Sequence, residues 1–296
     1  MQFGVALPQF GPMARGDDLA LHVAQVARAA DRLGYDVLWT AEHVVLPAEI
    51  ASTYPYGARL PYDVTDPILD VGTTLAWVAA QTERVRLSAS VQVLPYHHPI
   101  LFAKALASLD VLSGGRVMVG VAGGWLREEF EMLGVPFAER GARTDEYLAL
   151  MKALWTDDEV TFAGRFYRLE RAAFFPKPVQ RPHPPIWMGG GSGAALRRIG
   201  RHGDGWIAVP RPLDDISKGL DVIRREAERA GRDPSRIGAA TSGGARSVRE
   251  LLDALPRLDR AGVTITNVPV LFWARDVSEA LDMLEDFADR AGLAVE

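Results

Sequence analysis

The stretch 86-RLSASVQVLPYHHPILFAKALASLDVLSGGRVMVGVA-122 decides how the chain folds. It opens by alternating Leu87, Ala89, Val91 and Val93 with small or polar partners, the period of a strand. After Pro95 and Pro99 the spacing becomes helical over about 99–113, and Gly114-Gly115 closes it. The run 116-RVMVGVA-122 then reads as a strand again. Strand, helix and strand in that order make a crossover unit with parallel strands.

The same alternation extends outward in both directions. Upstream, 2-QFGVALP-8 and Asp36 to Thr40 read as strands, with a helix over about 17–33 between them. A long irregular loop at 43–66 leads to a helix from Pro67 to Glu83, with Asp66 as its predicted N-cap. Downstream come helical runs around 126–133 and 139–155, then a hairpin over 159–169 turning at Ala163-Gly164. Strands at 186–188, 205–209, 236–241 and 263–268 follow, with helices at about 213–230, 247–261 and 276–291. Eight such units predict a closed (β/α)8 TIM barrel, an α/β fold, with an insertion loop after strand two and a small hairpin before strand five. An open doubly wound sheet is the alternative. No linker or repeat divides the chain, so 1–296 is expected to be one domain.

Composition narrows the function. At 296 residues, 48% hydrophobic and 24% charged, the chain can bury an extensive core. Its net charge is −5 and its basic residues are scattered, which argues against a nucleic-acid partner. With no cysteine, disulfides, thiolate metal sites and a cysteine nucleophile are excluded. The start, MQFGVALPQFG, lacks the pattern of a secretory leader, and no long apolar run suggests a membrane span. A soluble cytoplasmic protein acting on a small molecule is expected.

In a barrel of this kind the residues just after each strand share one rim, where active sites lie. Here they are Pro8, Gln9 and Phe10; Glu42 and His43; 94-LPYHH-98; 120-GVAGGW-125; Gly189, Gly190, Gly191 and Ser192; and Trp206. The set is poor in acid–base groups and rich in glycine and aromatics, which suits a planar cofactor that carries the chemistry. Glycine loop and helix N-terminus at 189–195 could hold a phosphate, although a plain turn reads equally well. Glu42-His43 is either a satisfied polar pair at a strand end or a pair bonding a cofactor edge, with His43 available for proton transfer. His97-His98 resembles no metal motif, because adjacent side chains on extended backbone point apart. They read as a rim turn, and no metal is expected.

On FGVALPQFG, LGYDVLWTAEHVVLP, the stretch 86–116, GVAGGWLREEFEMLGVPFAERGARTDEYL and FFPKPVQRPHPPIWMGGGS, the chain resembles the luciferase-like monooxygenase superfamily. It is most similar to the branch of coenzyme F420-dependent oxidoreductases, over roughly residues 2–208. The resemblance implies a barrel that binds a flavin or deazaflavin at the rim, and F420 rather than FMN. It implies a non-proline cis peptide at Ser90-Val91, in a bulge behind the cofactor ring. By carry-over, Glu42 lies beside the ring, Ser90, Val91, Gly123 and Gly124 contact it, and Gly190, Gly191 and Ser192 take the phosphate. His43 is the implied catalytic proton donor or base, and Phe10, Tyr54, Tyr56 and Trp125 shape the substrate pocket. Some members have a catalytic acid where this chain has Trp125, which argues against sugar-phosphate substrates. The implied activity is hydride transfer to or from a small organic substrate. FMN-dependent monooxygenation and a non-catalytic flavin-binding role are the alternatives. Such barrels are often homodimers.

Overall fold

The computed structural model describes residues 1–57 and 59–293. Strands β1 (Gln2–Ala6), β2 (Val37–Thr40), β3 (Arg86–Ala89), β4 (Gln92–Val93), β5 (Val119–Ala122), β6 (Glu159–Ala163), β7 (Arg168–Ala173), β8 (Ile186–Gly189), β9 (Gly205–Ile207), β10 (Gly238–Thr241) and β11 (Val263–Val268) alternate with helices. Nine of them form one sheet in the order β3-β2-β1-β11-β10-β9-β8-β5-β4. Every pairing in it is parallel.

The two ends of that order are the two halves of one predicted strand. β3 pairs with β2 and β4 with β5, and Leu87 forms a parallel bridge to Val117. The break between the halves is Ser90-Val91, whose peptide bond is cis. The sheet therefore closes on itself through an interrupted strand, giving the eight-stranded barrel expected from the crossover pattern.

Alternation along the strands sorts side chains into two layers. Val37, Trp39, Met118, Trp187, Ile207, Ala240 and Ile265 fill the barrel interior as a separate cluster. Gly205 makes room there, since a Cβ on it would strike the Trp187 indole. Phe3, Val5, Leu38 and Leu87 point the other way and join the larger core under the helices. On α1 (Leu19–Arg32) the residues Val23, Ala24, Val26, Ala27 and Ala30 are buried, the 3–4 spacing of one helical face. Burying each valine is worth about 1.5–3 kcal/mol.

The second helix and the hairpin differ from the sequence-based expectation in their bounds. The second helix, α2 (Val71–Ala79), starts four residues after Pro67 and ends four before Glu83, capped by Asp70, whose Oδ1 accepts from the Thr73 N–H at 2.7 Å. Asp66 is engaged elsewhere. Its carboxylate accepts from the N–H groups of Gly11 (3.1 Å) and Asp63 (3.0 Å) and pairs with Arg15 Nε at 2.9 Å. A tertiary set of charge-assisted bonds outweighs one local cap. The hairpin is also longer than expected, because β7 runs on to Ala173. Its turn is held by Glu146, which accepts from the N–H groups of Arg165, Phe166 and Tyr167.

The remaining helices follow the crossover pattern: α3 (Pro99–Leu112), α4 (Arg127–Met132), α5 (Arg140–Thr156), α6 (Gly193–His202), α7 (Leu213–Arg229), α8 (Val248–Arg260) and α10 (Val277–Ala291). A single helical turn, α9 (Val270–Trp273), was not evident from periodicity. No helix among the described residues is long and apolar enough to cross a membrane.

Candidate functional site

A cavity of about 300 Å³ opens at the C-terminal ends of the strands. That is the small end of the range for ligand pockets, about 300–1,000 Å³. Of the residues singled out from sequence, Phe10, Glu42, His43, Tyr54, Tyr56, Ser90, Val91, Gly124, Trp125 and Gly190 line it. Gly123, Gly191 and Ser192 stand outside its lining. Ser192 instead caps α6, its hydroxyl accepting from the Ala195 N–H at 3.2 Å. Gly191 lies under the Arg211 guanidinium, which a Cβ there would strike.

One wall is polar and fully partnered. Glu42 follows β2 and points along β4: its Oε2 accepts from the Val93 N–H at 2.5 Å. Its Oε1 meets His97 Nε2 at 2.9 Å and Gln92 Nε2 at 3.3 Å. His97 is therefore more than a rim turn, since it braces the carboxylate and stacks on Phe102 with ring centroids 4.6 Å apart. His98 turns away, edge-on to Tyr167 at 5.0 Å. Both Glu42 oxygens are engaged with this chain, where the carry-over set them beside a ring.

Next to it His43 Nδ1 lies 2.8 Å from Glu129 Oε2, and His43 Nε2 lies 2.6 Å from the Tyr62 hydroxyl. Glu129 comes from α4, and its side chain is 0% exposed. It also accepts from the N–H groups of Val44 (2.7 Å) and Val45 (3.2 Å) and from the Tyr96 hydroxyl at 3.1 Å. Burial raises the pKa of Tyr62 and of Tyr96, with Glu129 adding to both, so these groups remain phenols at neutral pH.

The mouth is aromatic. Tyr54 packs edge-on to Tyr56 at 5.5 Å and to Trp125 at 5.3 Å, and Phe10 contacts Tyr62 at 5.9 Å and Phe272 at 5.7 Å. Burial raises the Tyr54 and Tyr56 phenols as well. Among the described residues the lining contains no lysine, arginine or aspartate, and Glu42 is its one carboxylate.

Gly124, Gly189 and Gly190 complete the lining. A Cβ at Gly189 would come 3.1 Å from Val91 Cγ1 and 3.4 Å from Ala122 Cβ. Gly190 and Gly124 have φ of +116° and +81°, values open to glycine. Three atoms of lining residues, Trp39 Nε1, Thr40 Oγ1 and Asn267 Oδ1, are buried without a hydrogen-bond partner.

Sequence reasoning missed Tyr62, Gln92, Glu129 and Asn267. For Glu129 a signal existed. In 126-LREEFEML-133 positions 126, 129, 130 and 133 share one helical face, and the only acid on that apolar stripe is Glu129. Tyr62 sits in an irregular loop, where no period marks it. Among the described residues, no group of three or more His, Asp or Glu is arranged to hold a metal.

The model of the family described as luciferase-like monooxygenase matches residues 1–252. An uncharacterised protein of Mycobacterium tuberculosis (strain H37Rv) is 35% identical over 260 residues, covering 86% of this chain and 89% of that one. The FMNH2-dependent dimethylsulfone monooxygenase of Pseudomonas putida is 34% identical over 206 residues, covering 69% of this chain and 52% of that protein. Among solved structures, the monooxygenase RslO1 from Streptomyces bottropensis superposes with a TM-score of 0.75 at 26% identity, covering 98% of both chains. An F420-dependent secondary alcohol dehydrogenase in complex with an F420-acetone adduct gives 0.75 at 18% identity, covering 99% of both, a likeness of fold.

Proposed function

We propose that this chain, which belongs to the luciferase-like monooxygenase family, is an F420-dependent oxidoreductase acting on a small, uncharged, apolar or aromatic substrate. The observation that supports it is that Gly124, Gly189 and Gly190 share one cavity with the hydrogen-bonded groups Glu42, His43 and Tyr62. Bound there, F420 supplies hydride chemistry, leaving the protein to place the substrate and manage one proton.

The residues present fit such a group. Gly189 and Gly190 line the cavity together with Ser90 and Val91, so a planar ring would meet small residues and backbone there. Trp39 Nε1, Thr40 Oγ1 and Asn267 Oδ1 offer an unsatisfied donor and acceptors to a heteroaromatic edge. Glu42 holds the β4 backbone at Val93. Tyr54, Tyr56, Trp125 and Phe10 exclude water from the substrate side. His43 belongs to the proton-handling network. No lysine or arginine is among the described lining residues, in keeping with Trp125 in place of an acid.

Titrating the purified protein with F420 and with FMN, followed by absorbance and fluorescence, tests the assignment. A saturable F420 response is expected. Tight FMN binding with no F420 response would overturn it in favour of a second reading, FMN-dependent monooxygenation. That reading is supported by the 34% identity to an FMNH2-dependent enzyme.

A further inference from the structure

Both nitrogens of His43 are engaged, so neither is free to meet a substrate. Nδ1 faces Glu129 and Nε2 faces Tyr62. Tyr62 lines the cavity, as His43 does, and burial keeps its phenol protonated at neutral pH. From this we infer that Tyr62 is the catalytic proton donor at the cavity surface, with His43 relaying to it and Glu129 positioning His43. The inference rests on the oxidoreductase reading above for its substrate and deepens it by naming the proton path.

Hydrogen-bond polarity sets the states. A carboxylate can only accept, so the Nδ1 opposite Glu129 carries the hydrogen. In neutral His43, Nε2 is then an acceptor, and the Tyr62 O–H is turned toward it. In the imidazolium form Nε2 donates to the phenol oxygen, and the Tyr62 hydrogen is released toward the cavity. The network switches between these states without moving a heavy atom.

Consider reduction of a ketone, with the reduced cofactor as hydride source. As the carbonyl carbon takes the hydride and its electron pair, the C=O π electrons pass to oxygen. That oxygen takes the Tyr62 proton, and Tyr62 takes the Nε2 proton of His43. His43 ends neutral, still bonded to Glu129 through Nδ1–H, and recovers its proton from solvent after product leaves. Alcohol oxidation runs the same steps in reverse. The groups facing His43 and its partners are Glu129 from α4, Tyr96 after β4, Tyr54 in the insertion loop, and the neighbouring Glu42–His97 pair. None of them is a lysine or an arginine, and Glu129 offers its carboxylate oxygen to Nδ1.

The ring itself reports the path without any cofactor. In protein labelled with 15N-histidine, with His43 assigned by loss of its signals in H43Q, the neutral form of the ring, reached by raising pH, is expected as the Nδ1–H tautomer with Nε2 hydrogen-bonded. Y62F should move the Nε2 shift toward its unbonded value and leave the tautomer unchanged. Fluorotyrosine in place of tyrosine, a more acidic donor, should move it the opposite way, which a packing role would not do. E129Q should mix the two tautomers. An Nε2 shift indifferent to Y62F would overturn the relay, and a tautomer indifferent to E129Q would overturn the positioning role.

Turnover supplies a second arm. With whichever cofactor binds, and cyclohexanone as probe, Y62F should lower kcat about 100-fold with KM little changed. The Y62F/H43Q double variant should be no worse than either single one, since the two act as a unit. Full kcat in Y62F alongside a loss in H43Q would return the role of donor to His43. Failure of both cofactors to bind would end the oxidoreductase reading, while the ring shifts still judge the proton path.

Discussion

Two half-buried histidines sit in opposite company. His43, at the rim, stands between a buried carboxylate and a phenol. His202, at the end of α6, is hemmed by Lys152, Arg198 and Arg201, with Asp145 3.8 Å away as its one opposing charge. Burial first, then Lys152, drives its pKa down to about 4. The contrast teaches that burial alone does not describe a histidine's setting. Which charges and hydrogen-bond partners face the ring matters as much.

Removing the acceptor at His43 is the sharpest way to break the contrast. Glu129→Ala strands His43, the Tyr96 hydroxyl and two backbone N–H groups in a buried place. A loss of about 3–5 kcal/mol is expected in urea unfolding. Loss below about 1 kcal/mol would mean that the network is dispensable to the fold.

Acid probes the other histidine. Between pH 6.5 and about 4 the unfolded chain binds a proton at His202 that the folded chain refuses, so stability falls as pH drops through that window. With screening at its partly exposed edge allowed for, the loss by pH 4.5 is about 1–2 kcal/mol. His202→Gln should flatten that part of the stability–pH curve. A curve that keeps its slope in the variant would assign the acid loss to other groups.

The smallest effect is expected at Glu42, whose partners a neutral amide can keep in part. Glu42→Gln should cost about 1 kcal/mol by weakening the bonds to Val93 N–H and His97. A cost as large as that of Glu129→Ala would make the β4 brace, rather than the relay, the keystone of the rim.

How much of this was legible differs between fold and site. The strand–helix alternation carried the barrel, because period 2 and period 3.6 are local properties of a chain with one buried face. Asp66 was misplaced as a helix cap because its real partners, Gly11 and Arg15, lie in another loop. In the site, Glu42, His43, Ser90, Val91, Gly124 and Gly190 were marked by strand ends and by resemblance, and they do meet around one cavity. His97 was set aside because two adjacent histidines suggested only a turn, while its partner Glu42 lies 55 positions away.

By itself the sequence determined the eight crossover units, the absence of thiol chemistry, the glycines at the rim and the family. Only the tertiary structure decided which polar groups pair. Glu129 reaches His43 across 86 positions and Tyr62 reaches it across 19. Such pairings depend on how barrel closure brings strand ends and loops together, a non-local consequence that no period along the chain encodes.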